Sequence, residues 1–390
     1  MGGKSPIGGL GVGPKGIMSG FTYLDYNATA PVRPEAAAAI AEALGRVGNP
    51  SSVHKVGRAA RAAVENARAR VAGLVGSKPS EVVFTSGGSE ANMAALTRTG
   101  AARLIVSAVE HDSVTETAAG SGLPVETVPV DDNGLVDLAA LERLLADAPR
   151  DGLTLVSLML ANNETGVIEP VAAAASIARR HGARLHCDAV QAAGKIPVDF
   201  NDLDVDYLTL SAHKLGGPQG IGALVVREVC ALTPMVRGGG QEQGRRSGTE
   251  NVPGIVGFGV AAALAGSLEG NSVLRDAWEA RVRAAAPEAI ILSAGAARLP
   301  NTSCVALPGI GSETQVMALD LAGIGVSAGS ACSSGKVKAS RVLAAMGFDK
   351  DIAGSAIRVS LGWATTAEDM DRLFAAWEAL RERMARRKAG

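Results

Sequence analysis

The sequence predicts an α/β protein: a mostly parallel sheet covered by helices, followed by a smaller α+β unit. Three observations carry this. Between residues 35 and 252, helix-period stretches alternate with short and nearly continuous apolar runs, the mark of strands buried on both faces. The runs are separated by helix-length segments, which parallel crossovers require. Beyond residue 252 the alternation stops and shorter, mixed elements take over.

Taken in order, residues 1–20 read as a flexible tail. They contain Gly11, Gly13 and Gly16 in GxGxxG spacing, but no strand precedes and no helix follows, so a dinucleotide site is not expected. Met18 stands as an alternative start. Residues 21–34 form a segment that joins the small C-terminal unit. Helices are expected over 35–46, 58–75, 138–146 and 171–181, the last closed by Gly182. Strands are expected over 81–85, 103–107, 154–160, 184–187, 207–210 and 222–226. The large domain runs over 35–265 and ends in a helix from 252 to 268. The small domain, 266–390, holds strand-like runs at 289–292 and 303–307, a helix after Ser312, a Gly/Ser loop and a closing helix.

The 390 residues carry 38 basic and 39 acidic side chains, a net charge of -1. That balance gives no electrostatic case for nucleic acid or an anionic membrane as the main partner. No apolar run reaches the roughly 18 residues that span a bilayer. The four cysteines, Cys187, Cys230, Cys304 and Cys332, are scattered and form no CxxC pair, which argues against a zinc site and fits a reducing cytoplasm.

Chemistry concentrates at strand ends. Lys214, in Ser211-Ala212-His213-Lys214, follows a buried strand, and burial lowers an amine's pKa as a Schiff-base lysine requires; read alone, it equally suits a lysine capping a strand. Gly87-Gly88-Ser89 lies between a strand and a helix, a place where backbone N–H groups meet an anion. The loop lacks the Lys-Ser/Thr ending of a nucleotide P-loop, which favours a cofactor phosphate. Asp188 ends a strand, with Gln191 three residues on; a carboxylate there suits a pyridine nitrogen or simply caps a helix. His111 follows another strand and suits ring stacking or proton transfer. Each is weak singly, but together they occupy the carboxyl edge of one sheet, where open α/β folds bind ligands. Cys332 sits in Ser327-Ala328-Gly329-Ser330-Ala331-Cys332-Ser333-Ser334-Gly335, too small and polar for a core. An exposed thiol, able to act as a nucleophile, is expected there. Cys187, Cys230 and Cys304 read as packing residues.

At this point the chain resembles the cysteine desulfurases of the NifS/IscS type, class V aminotransferase-like enzymes of the pyridoxal-phosphate-dependent fold type I. The likeness runs from Tyr23 to the closing helix through YLDYNATAPV (23–32), GNPSSVH (48–54), FTSGGSEAN (84–92), EHDSV (110–114) and NNETGVI (162–168). It continues through HCDAVQAAGK (186–195), SAHKLGGPQGIGAL (211–224), GGGQEQGRRSGTEN (238–251), SAGSACSSG (327–335) and IRVSLG (357–362). Ten segments in order are far more specific than any one of them. The resemblance implies a seven-stranded sheet in the large domain and pyridoxal 5'-phosphate as cofactor. It implies that Lys214 carries the cofactor, Asp188 pairs with its ring nitrogen, Gln191 with its phenolic oxygen, and His111 stacks on the ring while serving catalysis. Gly88, Ser89, Ser211 and His213 hold the phosphate, and Asn163 contacts cofactor and substrate. Thr249 reaches the phosphate of a second subunit's cofactor, which implies a homodimer. Arg358 binds the carboxylate of L-cysteine, a task suited to a bidentate guanidinium. Cys332 takes the sulfur as a persulfide and passes it to an acceptor such as an iron–sulfur scaffold, with a transient cluster-ligand role left open. GGS stands where members often have alanine and threonine, and Cys187 where valine is common. A selenocysteine lyase, another class V enzyme or a non-catalytic sulfur-relay scaffold are the alternatives. A scaffold would not need Lys214, Asp188 and Arg358 together.

Overall fold

The computed structural model describes residues 20–147, 152–328 and 340–389. Most of the tail, with its GxGxxG spacing and Met18, lies outside the described residues, as does Cys332.

Thr22–Tyr23 (β1) opens the described chain, and helices Pro34–Leu44 (α1) and Lys55–Leu74 (α2) follow. Then come Val82–Thr85 (β2), Gly88–Thr97 (α3), Ala101–Ser107 (β3), Asp112–Ala119 (α4) and Val125–Val128 (β4). Leu138–Ala146 (α5), Leu153–Met159 (β5), Val171–Arg180 (α6), Arg184–Asp188 (β6), Tyr207–Ser211 (β7) and Gly222–Val226 (β8) complete the alternation. These strands form one seven-stranded sheet in the order β2-β8-β7-β6-β5-β3-β4. The pairs from β7 through β6, β5 and β3 to β4 are parallel, while β8 runs antiparallel to both β7 and β2. The sheet is therefore mostly parallel, with one reversed strand.

Central strands explain the apolar runs: β5, β7 and β8 are buried almost end to end, because helices cover both faces of the sheet. On one face lies a core that includes Val71, Ile105, Val156, Leu185, Leu208 and Phe258; on the other, Leu104, Leu155, Tyr207 and Leu224 pack against α3 and α4. At the sheet margin β4 has only one buried residue in four, which leaves no continuous apolar signal.

Val252–Leu264 (α7) packs on α1 and α2. Beyond it lie Asn271–Ala285 (α8), Ile290–Ile291 (β9), Thr302–Ala306 (β10), Ser312–Leu321 (α9), Ile324–Gly325 (β11) and Ser327–Ala328 (β12). Arg341–Ala345 (α10), Lys350–Ser355 (α11), Ala356–Ser360 (β13) and Ala367–Ala389 (α12) close the chain. Here β12-β13-β10-β9 form an antiparallel sheet. Within its largely aliphatic core, the rings of Trp278 (α8) and Trp377 (α12) meet edge to face at 5.7 Å, a preferred quadrupole arrangement. Strand β1 pairs in parallel with β11, so the N-terminal segment adds to this second unit. Among the described residues no helix is long and apolar enough to cross a membrane.

Candidate active site

Five strands of the large sheet deliver their carboxyl ends to one edge, and the chemistry-bearing residues follow directly. Gly88 and Ser89 come after β2, His111 after β3, Asn163 after β5, Asp188 and Gln191 at and after β6, and Ser211, His213 and Lys214 at and after β7. All of these line a single cavity of about 260 Å³, together with Asn92, Ser113, Met159 and Ala161. This is the edge at which parallel sheets present ligands to helix N-termini and loop donors.

Gly88 opens α3 in the angle between β6 and β7. A Cβ there would stand 3.1 Å from Val190 Cγ2 and 3.5 Å from Ser211 Cβ, so glycine keeps the cradle open. First-turn amides of a helix have no intrahelical acceptor and favour an anion. Asp188 is buried; its Oδ1 accepts from the Val190 amide (2.9 Å) and its Oδ2 from Asn92 Nδ2 (2.7 Å). Asn92 Nδ2 also donates to Ser113 Oγ (2.9 Å), and Ser113 Oγ lies 2.9 Å from His111 Nδ1. His111 caps α4, its Nδ1 accepting the Ser113 amide at 3.0 Å. In the neutral ring that places the proton on Nε2. A chain of contacts thus runs from Asp188 through Asn92 and Ser113 to His111.

Lys214 Nζ donates to the main-chain oxygens of Asn27 (2.5 Å) and Ala28 (2.7 Å). Burial and, after it, the nearby Lys214 push His213 down to about 4, so His213 is neutral and its Nδ1 meets Thr29 Oγ1 at 3.2 Å. Beneath the sheet edge, burial also pushes His186 down to about 4. Glu110 is held well above the usual carboxylate range, by burial first and by Asp188 second.

Arg358 lies on β13, cross-strand from Cys304 and Ser327. It is buried, with Nη2 donating to Asp25 Oδ1 (2.6 Å) and Nη1 to Asn163 O (3.0 Å). It does not line the cavity itself but touches the Asn163 loop that does. Thr249 is exposed and is not among the lining residues of its own chain.

The segment 329–339 that contains Cys332 is bracketed by described residues tied to this site. On one side β12 pairs with β13 at Arg358. On the other, Ser340 Oγ donates to Glu164 Oε2 (2.6 Å), beside Asn163. Arg341 bonds Glu110 O (3.0 Å), Asp112 (2.9 Å) and Thr115 (2.6 Å) at the start of the His111 helix. Cys187, Cys230 and Cys304 are buried free thiols. Burial raises all three, Cys230 to about 11, Cys304 to about 12 and Cys187 well beyond its ordinary value, so they are poor nucleophiles.

Asn27, Asn92 and Lys195 carry no role in the sequence reading, although all three fall inside its quoted motifs. Asn27 is the junction: its main-chain oxygen accepts from Lys214 and from Gln191 Nε2, and its side chain bonds Lys195, Asn163 O and Thr302. The donor and acceptor of its side-chain amide serve both kinds of neighbour, and no spacing pattern in the sequence marks it out.

A family model described as Aminotransferase class-V matches residues 22–373. The chain belongs to that family. Within it, the chain groups with the cysteine desulfurases. A relative from Cereibacter sphaeroides named cysteine desulfurase is 45% identical over 90% of this chain and 93% of its own. A relative from Dictyoglomus turgidum named cysteine desulfurase IscS is 39% identical over 93% and 95%. The solved NifS-like protein of Rickettsia africae superposes with a TM-score of 0.86 at 35% identity, covering 93% of this chain and 99% of that one. These likenesses support the α/β architecture and the fold type I expectation.

Proposed function

We propose that the protein is a pyridoxal-phosphate-dependent cysteine desulfurase that holds sulfur from L-cysteine as a persulfide on Cys332 and releases L-alanine. The observation that carries the reading is the convergence of Lys214, Asp188, His111 and the Gly88 cradle on one cavity, with both flanks of the Cys332 segment tied to its rim. A solved relative at 31% identity and TM-score 0.77 is described in complex with cysteine, which supports the substrate.

The donor set fits pyridoxal phosphate. Gly88, Ser89, Ser211 and His213 would hold the phosphate, Lys214 the aldehyde carbon, Asp188 the ring nitrogen, Gln191 the phenolic oxygen, and His111 and Asn163 the ring. When bound, the group supplies an electron sink for charge developing at the substrate's α-carbon. Asp188, held in place by the Asn92 side chain and the Val190 amide, would face the ring nitrogen. Lys214, on the cavity wall, moves the α-proton at Nζ. Arg358 orients the substrate carboxylate by exchanging its contact with Asp25. The Cys332 thiolate attacks the substrate sulfur: an S–S bond forms, the C–S bond breaks, and its electron pair stays with the carbon skeleton. That skeleton takes a proton and leaves as alanine.

The homodimer belongs to the same reading. Thr249 is exposed, and Leu44, Val47 and Val53 project apolar surface beside α1 and α2, both of which suit a second copy; sedimentation at equilibrium tests it. A sulfur-acceptor protein takes the persulfide, and the free thiols suit a cytoplasmic setting. The decisive assay is paired quantitation of alanine and sulfide from L-cysteine, with dithiothreitol, for wild type and Cys332→Ser. Equal yields from wild type, nearly abolished in the mutant, are expected. Full activity in the mutant would overturn transfer through Cys332 and favour a β-eliminating lyase.

A further inference from the structure

Behind the cavity wall a second lysine has no place in the mechanism above. Lys195 is 2% exposed. Its Nζ donates to Gln191 Oε1 (2.5 Å) and Asn27 Oδ1 (2.6 Å), and neither acceptor is a carboxylate. Burial first, and the nearby cations Lys214 and Arg358 after it, pull its amine well below the ordinary lysine value. Burying an amine among amides is costly, and its two short hydrogen bonds offset that cost. A methionine of similar length would fill the same space without the cost but would take the donor from Gln191 Oε1 and leave Asn27 Oδ1 to Asn301 Nδ2 at 3.2 Å.

Local backbone explains how the lysine gets there. After β6 the chain turns through Ala189, Ala192 and Ala193. Gly194 takes φ +74°, and a Cβ at that position would meet Leu215 Cδ2 at 2.7 Å. Only glycine fits, and the reversal brings Lys195 back under Gln191, four residues earlier.

We infer that Lys195 is a positioning residue that fixes the side-chain amide of Gln191 so that its N–H edge serves the cavity. The Gln191 amide is oriented from both ends. Oε1 accepts from Lys195, while Nε2 donates one hydrogen to the Asn27 main-chain oxygen (2.9 Å). The second Nε2 hydrogen is left for the cavity that Gln191 lines. A flipped amide would set its nitrogen against the Lys195 amine and its oxygen against a carbonyl, losing both bonds. Lys195 also acts on the Asn27 side chain, whose main-chain oxygen holds Lys214. It thus supports both the residue assigned to the phenolic oxygen and the one assigned to the aldehyde carbon. This inference rests on the pyridoxal-phosphate reading of the cavity.

The test compares the holoenzyme with Lys195→Met, Gln191→Ala and the double variant, following the visible absorption band and the rate at which pyridoxal phosphate is lost on dilution. Leaving buried acceptors unpaired costs about 1–3 kcal/mol, so cofactor loss should quicken on the order of tenfold in each single variant. The double variant should fall well short of the sum of the two single effects, because Lys195 acts largely through that side chain. The absorption maximum should shift alike in all three. Additive effects, or an unshifted band and unchanged cofactor loss with only reduced thermal stability, would make Lys195 merely structural and overturn the inference. If Lys195→Met does not fold, Lys195→Gln carries the same test. It keeps a donor but can also accept, so it no longer enforces one orientation; wild-type retention and spectrum in that variant would overturn the inference too. A wild type that binds no pyridoxal phosphate would instead fail the underlying reading, so the two failures are distinct.

Discussion

Glu242→Ala should be among the most destabilising single changes outside the cavity. Arg68 on α2 and Glu242 are both buried, with 4% and 3% of their side chains exposed. The guanidinium meets both carboxylate oxygens, at 2.7 and 2.8 Å, and also donates to Val82 O at 2.9 Å. Glu242 Oε2 accepts the Phe84 amide as well (2.8 Å). Truncation leaves a buried guanidinium with only Glu65, half exposed and screened, as counter-charge. Breaking one side of a buried pair costs about 3–5 kcal/mol. The orphaned Phe84 N–H would alone cost about 1–3 kcal/mol, and because the two losses overlap, about 4 kcal/mol is expected. Urea unfolding followed by circular dichroism and tryptophan fluorescence measures it. The double replacement Arg68→Met with Glu242→Met should recover the part of the loss that comes from the unpaired guanidinium, since desolvating two charges offsets much of their attraction, while the Phe84 N–H stays unpaired. A single-variant loss below about 1 kcal/mol, or a double variant as unstable as the single, would refute the reasoning. Phe84 precedes the Gly88 cradle by four residues, so cofactor retention should fall together with stability.

Asn92→Ala should weaken cofactor retention about tenfold by removing the side-chain donor to Asp188, and Asn92→Asp should weaken it further by setting a second carboxylate against it; equilibrium dialysis measures both. Arg358→Lys should raise KM for L-cysteine by about 10- to 100-fold with a smaller effect on kcat, because the forked donor is lost. Ellman's reagent should find three of the four thiols unreactive in the native chain and all four reactive in urea. Burial pushes Glu169 up to about 8 from 4.5, so the folded chain retains a proton that the unfolded chain releases. Its contribution to stability is therefore greatest below about pH 4.5 and is lost as pH rises to about 8, with an upper bound of about 5 kcal/mol. Glu169→Gln should consequently gain on wild type across that range in urea melts, and a pH-independent difference would contradict the assignment.

What the sequence made legible were features with local causes. The strands over 103–107, 154–160, 184–187 and 222–226 could be read because burial on both faces leaves a mostly apolar run, and the structure places strands there within two residues at each end. Strand β4 was not legible: it is an edge strand with a half-exposed VETV sequence. Helix α8 escaped too, since its N-cap Gly270 offers no side-chain signal and only Trp278, Glu279 and Val282 among its fifteen residues are buried. In the cavity, residues directly at strand ends were found because topology alone brings them together. Arg68 and Glu242, 174 positions apart, and Lys195, whose charge argues for a surface, depend on tertiary contacts that no local pattern records.

Asn27 shows why the N-terminal segment has to be counted as part of the active site. Its amide donates to Ser360 Oγ (3.0 Å), on the strand that carries Arg358. Its main-chain oxygen holds Lys214 and Gln191, and its side chain reaches Asn163, Lys195, Asn301 and Thr302. Asn163 O in turn accepts from Arg358. The lysine assigned to the cofactor and the arginine assigned to the substrate carboxylate are therefore linked by one buried asparagine of the N-terminal segment. Coupled hydrogen-bond networks of this kind tolerate no partial assembly, because each buried group left over bears its full desolvation cost. The pairing of β1 with β11 therefore brings Asn27 to the place where its bonds to both units are made.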